Sequence, residues 1–137
     1  MREILFRGKR ADSDEWVEGF LWKKKYDTSI IFISCFPDKD DNEEIYIVCP
    51  RSVGQYTGLT DKNGDKIFEG DIVSGACFWL ERMKNGVVAF RDGSFGLIWY
   101  RGEVEQFNPF TSMCNIEYEV IGNIHDNPEL MEDTRWG

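Results

Sequence analysis

Thr60-Asp61-Lys62-Asn63-Gly64-Asp65-Lys66-Ile67-Phe68-Glu69-Gly70-Asp71-Ile72-Val73 is the stretch whose reading decides the fold. Asn63-Gly64 stands between two apolar segments, and that pair tolerates the positive φ angles of a type I′ hairpin turn. Gly70-Asp71 then bends the chain into a further strand. Neither side of the block carries a helical period.

Outward from this block the pattern stays that of strands. Ile4-Leu5-Phe6 opens one, and Glu15 to Trp22 forms the next after the polar turn Gly8 to Asp14. Ser29 to Cys35 and Glu44 to Cys49 are rich in β-branched and aromatic residues, a strand composition. Gly86 to Phe90, Phe95 to Tyr100 and Tyr118 to Ile124 read likewise, punctuated in hairpin style by Asn85-Gly86 and Asp92-Gly93. A short helix is predicted in the tail, over Asp126 to Glu132, with Asn127 as N-cap and Pro128 at the first helical position. The expected fold is mainly β: short antiparallel strands forming a small SH3-like barrel plus an additional β lobe, with a short C-terminal helix. Residues 1–137 read as one domain; a division into two β lobes would fall at about 1–52 and 53–137, near Pro50 to Gln55.

The chain has 137 residues, 42% hydrophobic and 15% aromatic, enough for a compact core without a disulfide or metal staple. Against 16 basic residues stand 25 acidic ones, and the net charge of −9 opposes phosphate binding over the molecule as a whole. Cys35, Cys49, Cys77 and Cys114 form no C-x-x-C pair and lie in or beside apolar runs. They read as structural thiols of a reducing compartment, with two disulfides as the alternative. Met1 to Arg7 lacks the form of a signal peptide, and no apolar stretch approaches the roughly 20 residues of a membrane helix. The expectation is a cytoplasmic protein with no membrane contact.

Asp61, Asn63 and Asp65 occupy the first ligand positions of a calcium loop, but Lys66 and Ile72 stand where glycine and a bidentate carboxylate belong. A hairpin turn accounts for them. Asp38, Asp40, Asp41, Glu43 and Glu44 read as a solvated loop rather than a metal site. His125 is the single histidine, and no nucleophile elbow or phosphate-binding loop is present, so no catalytic residue, metal or cofactor is assigned. Trp22-Lys23-Lys24-Lys25-Tyr26 interleaves aromatic and basic residues, as single-strand binders do, although lysines also protect strand edges. Tyr56 joins Trp16, Trp22, Lys23, Lys24 and Lys25 as a candidate binding residue, on the condition that it is exposed beside the tryptophans.

Met1 to Gly8, Glu15 to Gly19, Val53 to Val73 and Val120 to Leu130 together resemble the YopX family of phage and prophage proteins. The resemblance runs in order along the chain, while Lys23 to Ile47 and Ser74 to Asn115 match in character only. It implies a β-rich fold with a barrel-like portion and self-association, and it carries over no catalytic motif. The expected function is a non-enzymatic phage accessory protein that binds, as a homo-oligomer or through a protein partner. A nucleic-acid-binding barrel in phage replication or transcription is the first alternative, and a small metal-dependent hydrolase the second.

Overall fold

The computed structural model describes residues 3–24, 26–27, 29–35, 43–74, 85–110 and 118–135, the last three as backbone. It divides into two units, 1–58 and 59–137.

In the first unit β1 (Phe6–Lys9), β2 (Trp16–Lys23), β3 (Ile31–Cys35) and β4 (Glu44–Val48) pair in sequence as antiparallel neighbours. A 3-10 turn (Pro50–Ser52) leads into β5 (Gly54–Thr60), which pairs with the free side of β1. The core is Ile31, Ile33 and Val48, with Phe6, Val17, Leu21, Cys35 and Val53 packed against them. Two glycines admit this packing. A Cβ on Gly8 would lie 2.9 Å from Val48 Cβ, and one on Gly19 would meet the Ser34 carbonyl oxygen at 2.0 Å. The sheet curls until β4 meets the residues after β1: Cys49 N–H donates to Lys9 O (2.8 Å) and Ala11 N–H to Ile47 O (2.9 Å). That contact is a single bridge, Arg10 to Val48, so the barrel expected from sequence is approached but not closed. Pro50 has no N–H with which to continue such a ladder.

The second unit holds β6 (Lys66–Phe68), β7 (Asp71–Ser74), β8 (Gly86–Arg91), β9 (Ser94–Arg101), β10 (Val104–Pro109), β11 (Glu119–Asn123) and the helix α1 (Glu129–Arg135). Five of these strands form an open sheet in the order β10-β9-β8-β7-β11. Ile67, Val73, Val88, Leu97, Trp99 and Tyr118 make its core.

The turns follow from their residues, with one exception. Asp92 and Gly93 both take positive φ (52° and 80°), as a type I′ hairpin requires. Asn63-Gly64 does not: only Gly64 is left-handed, at 84°, and Gly64 N–H donates to Asp61 O (3.0 Å). The turn is therefore of type I followed by a left-handed glycine. Asp61 explains the change, because its Oδ1 accepts the N–H groups of Asn63 and Asp65 at 2.9 Å each and holds Asn63 in the right-handed region. Asn85-Gly86 is no turn of this kind either; Asn85 Nδ2 reaches across to donate to Leu130 O in α1 (3.0 Å). Asn127 precedes the helix as expected, but its side-chain oxygen accepts from Asn123 N–H (3.3 Å), bracing the end of β11 instead of capping α1.

Candidate binding surface

Alternation along β2 sends Val17 and Leu21 into the first core and leaves Trp16, Glu18, Phe20 and Trp22 on the other face. Register extends that outer face over the neighbouring strands. Trp22 stands opposite Phe32, Phe32 opposite Ile47, and Ser34 between Phe20 and Ile45. Toward β1, Lys9 faces Trp16 and Arg7 faces Glu18. Phe20, Trp22, Phe32, Ile45 and Ile47 thus share one face of three adjacent strands. Solvent reaches 56% of Phe20, 50% of Ile45, 50% of Ile47 and 38% of Trp22, unusual exposure for clustered large apolar groups.

The surface is ordered by its own contacts. Trp22 stacks on Phe32 with ring centroids 4.1 Å apart and planes 9° from parallel. Its Nε1–H donates to Ser34 Oγ at 3.1 Å, and Ser34 is buried beneath it. The indole is held on one side and by its edge. Cations flank both ends: Lys24 Nζ lies 5.9 Å from the Phe32 ring, while Arg7 Cζ and Lys9 Nζ lie 4.8 and 5.9 Å from the Trp16 ring. Such cation–ring contacts are electrostatically favourable. Beside Ile45 and Ile47 an open depression of about 390 Å³ is lined also by Ala11, Asp12 and Tyr46.

Of the residues singled out from sequence, the structure brings Trp16, Trp22 and Lys24 to this one face. Lys23 alternates to the opposite side, across from Ile31, and Lys25 lies outside the described residues. Tyr56 is only 9% exposed, and its N–H donates to Leu5 O (2.8 Å), so it packs within the fold and leaves the candidate set. Trp99 is buried in the second core, and Trp79 lies outside the described residues. Phe20, Phe32, Ile45 and Ile47 were not singled out from sequence. The available signal was strand pairing, which alone sets them side by side.

Other candidate chemistry resolves into structure. Asp61 is buried, and besides the two turn amides its Oδ2 accepts Val120 N–H (3.0 Å). The Val120 amide foremost, with those of Asp65 and Asn63, holds the Asp61 carboxyl below its ordinary pKa. Asp71, also buried, accepts Phe68 N–H (2.8 Å) across the Glu69-Gly70 turn. His125 and Asp126 are tied through their own N–H groups to Asn123 Oδ1 at 3.0 and 2.9 Å. Glu44 accepts the Tyr46 hydroxyl, while Asp38, Asp40 and Asp41 lie outside the described residues. Among the described residues no three His, Cys, Asp or Glu side chains come together as a metal site. Cys35 and Cys49 are both free thiols, and burial pushes the Cys35 thiol up. Cys77 and Cys114 lie outside the described residues. None of the described helices is long and apolar enough to cross a membrane.

Two antiparallel β units, one of them presenting an ordered apolar and aromatic sheet face, define a mainly β protein with a surface suited to contact. The chain belongs to the YopX protein family, which matches residues 5–132. Among solved structures it is similar to protein EF1440 from Enterococcus faecalis, with 27% identity over 96% of this chain and 99% of that one and a TM-score of 0.57. No curated protein matches the chain.

Proposed function

We propose that the chain is a phage or prophage accessory protein that acts by non-covalent binding rather than catalysis, with the outer face of β2, β3 and β4 as its contact surface. One observation carries the reading: Trp22 is solvent-accessible, yet held by Phe32 and Ser34 amid other exposed apolar groups. A fixed aromatic loses little conformational entropy on contact, which is what makes such side chains effective anchors. A second copy of the chain, a host or phage protein, or a nucleic acid are the occupants such a contact surface could take.

Oxidative footprinting tests it. The full-length protein is labelled alone at low concentration and again in an extract of lysogenic cells. Phe20 and Trp22 should be protected in the extract, while Phe90 in β8, exposed at 53%, serves as the control. Equal labelling of Phe20 and Trp22 in both conditions defeats the proposal.

A further inference from the structure

We infer that the occupant of this face is single-stranded nucleic acid; the inference rests on the reading of the face as a contact surface. Stacking surfaces and cations must coincide for such binding, since bases need a flat π partner and phosphates need positive charge. Here they do coincide. Trp22 and Phe20 offer aromatic surface on one strand, Trp16 sits further along it, and cations stand at both ends. Lys24 projects on the Trp22 side by alternation and lies over Phe32; Arg7 and Lys9 lie over Trp16. From Trp16 to Trp22 the strand covers about 20 Å at roughly 3.3 Å per residue, a span suited to a few nucleotides.

The acidic balance of the whole chain is the obvious objection, and its distribution answers it. Residues 1–58 carry nine Lys and Arg against eleven Asp and Glu, whereas residues 59–137 carry seven against fourteen. Most of the excess negative charge belongs to the second unit. Glu18 on the face has Arg7 as its register partner, Asp14 lies 4.0 Å from Lys9 Nζ, and Asp12 lines the depression beside Ile45 and Ile47, so Lys24 at the Trp22 end carries the main share of the phosphate contact. A protein ligand would require mainly apolar complementarity to Ile45, Ile47 and Phe20; it gives no role to cations placed at both ends of an aromatic row. Exposed bases and phosphates use both features.

The test is fluorescence anisotropy of the full-length protein with labelled oligo-dT, run alongside sedimentation velocity of the same samples. Binding at 50 mM salt should weaken about twentyfold by 200 mM, the dependence expected when roughly three phosphates are neutralised on a single strand. Trp22→Ala should weaken it about tenfold or more by removing a stacking surface. Lys24→Glu should weaken it and flatten the salt dependence, and circular dichroism establishes that both variants are folded. Phe20→Ala provides a second aromatic variant should Trp22→Ala unfold. Absence of binding at 50 mM salt overturns the inference; if sedimentation then shows self-association that Trp22→Ala abolishes, the face remains a contact surface with a second copy as its occupant. Binding that the folded variants leave unchanged overturns the assignment to this face. Loss of neither nucleic-acid binding nor any association in the variants removes both readings.

Discussion

Replacing Asp61 by alanine tests whether the longest motif of this chain serves folding. Three backbone N–H groups, from Asn63, Asp65 and Val120, donate to this buried carboxylate at 2.9, 2.9 and 3.0 Å. Hydrogen bonds to a charged acceptor contribute about 1.5–3 kcal/mol each, and a buried donor left alone costs about 1–3 kcal/mol. Water can replace the acceptor at the two turn amides, which lowers their share. A total loss of about 3–4 kcal/mol is therefore expected for Asp61→Ala. With an unfolding entropy of roughly 2.1 cal/mol/K per residue over a chain of this length, that corresponds to a fall in Tm of about 10–14 °C if unfolding is one transition. Asp61→Asn should fall between, because an amide retains one acceptor oxygen but offers Val120 N–H an opposed donor.

The pH dependence has a definite sign. The carboxyl sits below its ordinary value in the folded protein, chiefly through the Val120 amide. A depressed folded pKa adds stability that is present above the unfolded value of about 3.9 and disappears as pH falls through the folded one. The wild-type advantage over Asp61→Ala, measured by urea unfolding, should be largest near neutrality and shrink in acid. Calcium should leave the wild-type Tm unchanged, because both carboxylate oxygens are engaged with backbone. A gap below about 1 kcal/mol at pH 7, a gap independent of pH, or a calcium-induced rise in Tm would each refute the reasoning.

Gly19→Ala forces a Cβ to within 2.0 Å of the Ser34 carbonyl oxygen, so the first sheet must shift; a loss of about 3 kcal/mol or more in urea unfolding is expected. Cys49 is exposed while Cys35 is half-buried with a raised pKa, and a thiol reagent at neutral pH should modify Cys49 well before Cys35, as peptide mapping will report. Burial pushes Tyr118 up to about 12, and the hydrogen bond to Glu44 also raises Tyr46, so an ultraviolet titration should show a late phase that Tyr118→Phe diminishes. Because the Tyr118 pKa is raised on folding, the contribution is intact below pH 10 and is lost as pH climbs toward 12.

Strands were legible where β-branched and aromatic residues cluster, as at Ile31–Cys35 and Glu44–Val48, because those side chains fit a pleated half-buried surface. β5 and β10 were not. Gly-Gln-Tyr-Thr-Gly-Leu-Thr and Val-Glu-Gln-Phe-Asn-Pro have little strand propensity, and both are held by pairing with β1 and β9. Gly102 gave the one local hint of β10, since its φ of 64° suits the first position of a type II′ hairpin. The Asn63-Gly64 turn was placed correctly but mistyped, because Asp61 competes for the local amides and dipeptide preference ignores it. The candidate surface was partly legible for a related reason. Trp16, Trp22 and Lys24 could be noticed along one strand, whereas Phe32, Ile45 and Ile47 join them only through register, a long-range property. Tyr56 could not be judged at all from its neighbours, since burial depends on what packs over a strand.

Family membership and the proposed surface draw on different residues. Asp61, Gly64, Gly70, Asp71, Asn123 and Asn127 carry much of the resemblance, and each is committed to a backbone amide or a left-handed turn. Such groups specify a chain path. Phe20, Trp22, Phe32 and Ile45 fall outside the stretches that match in detail, and their side chains face solvent or one another. None of the four belongs to either buried core cluster, so they are open to exchange on other grounds than those that hold the turns. The 27% identity with EF1440 across nearly the whole chain is therefore strong ground for a common fold and weak ground for a common partner. The outer face of β2, β3 and β4 is the contact surface proposed for this chain, and assays of that face, rather than inheritance from relatives, are the test of it.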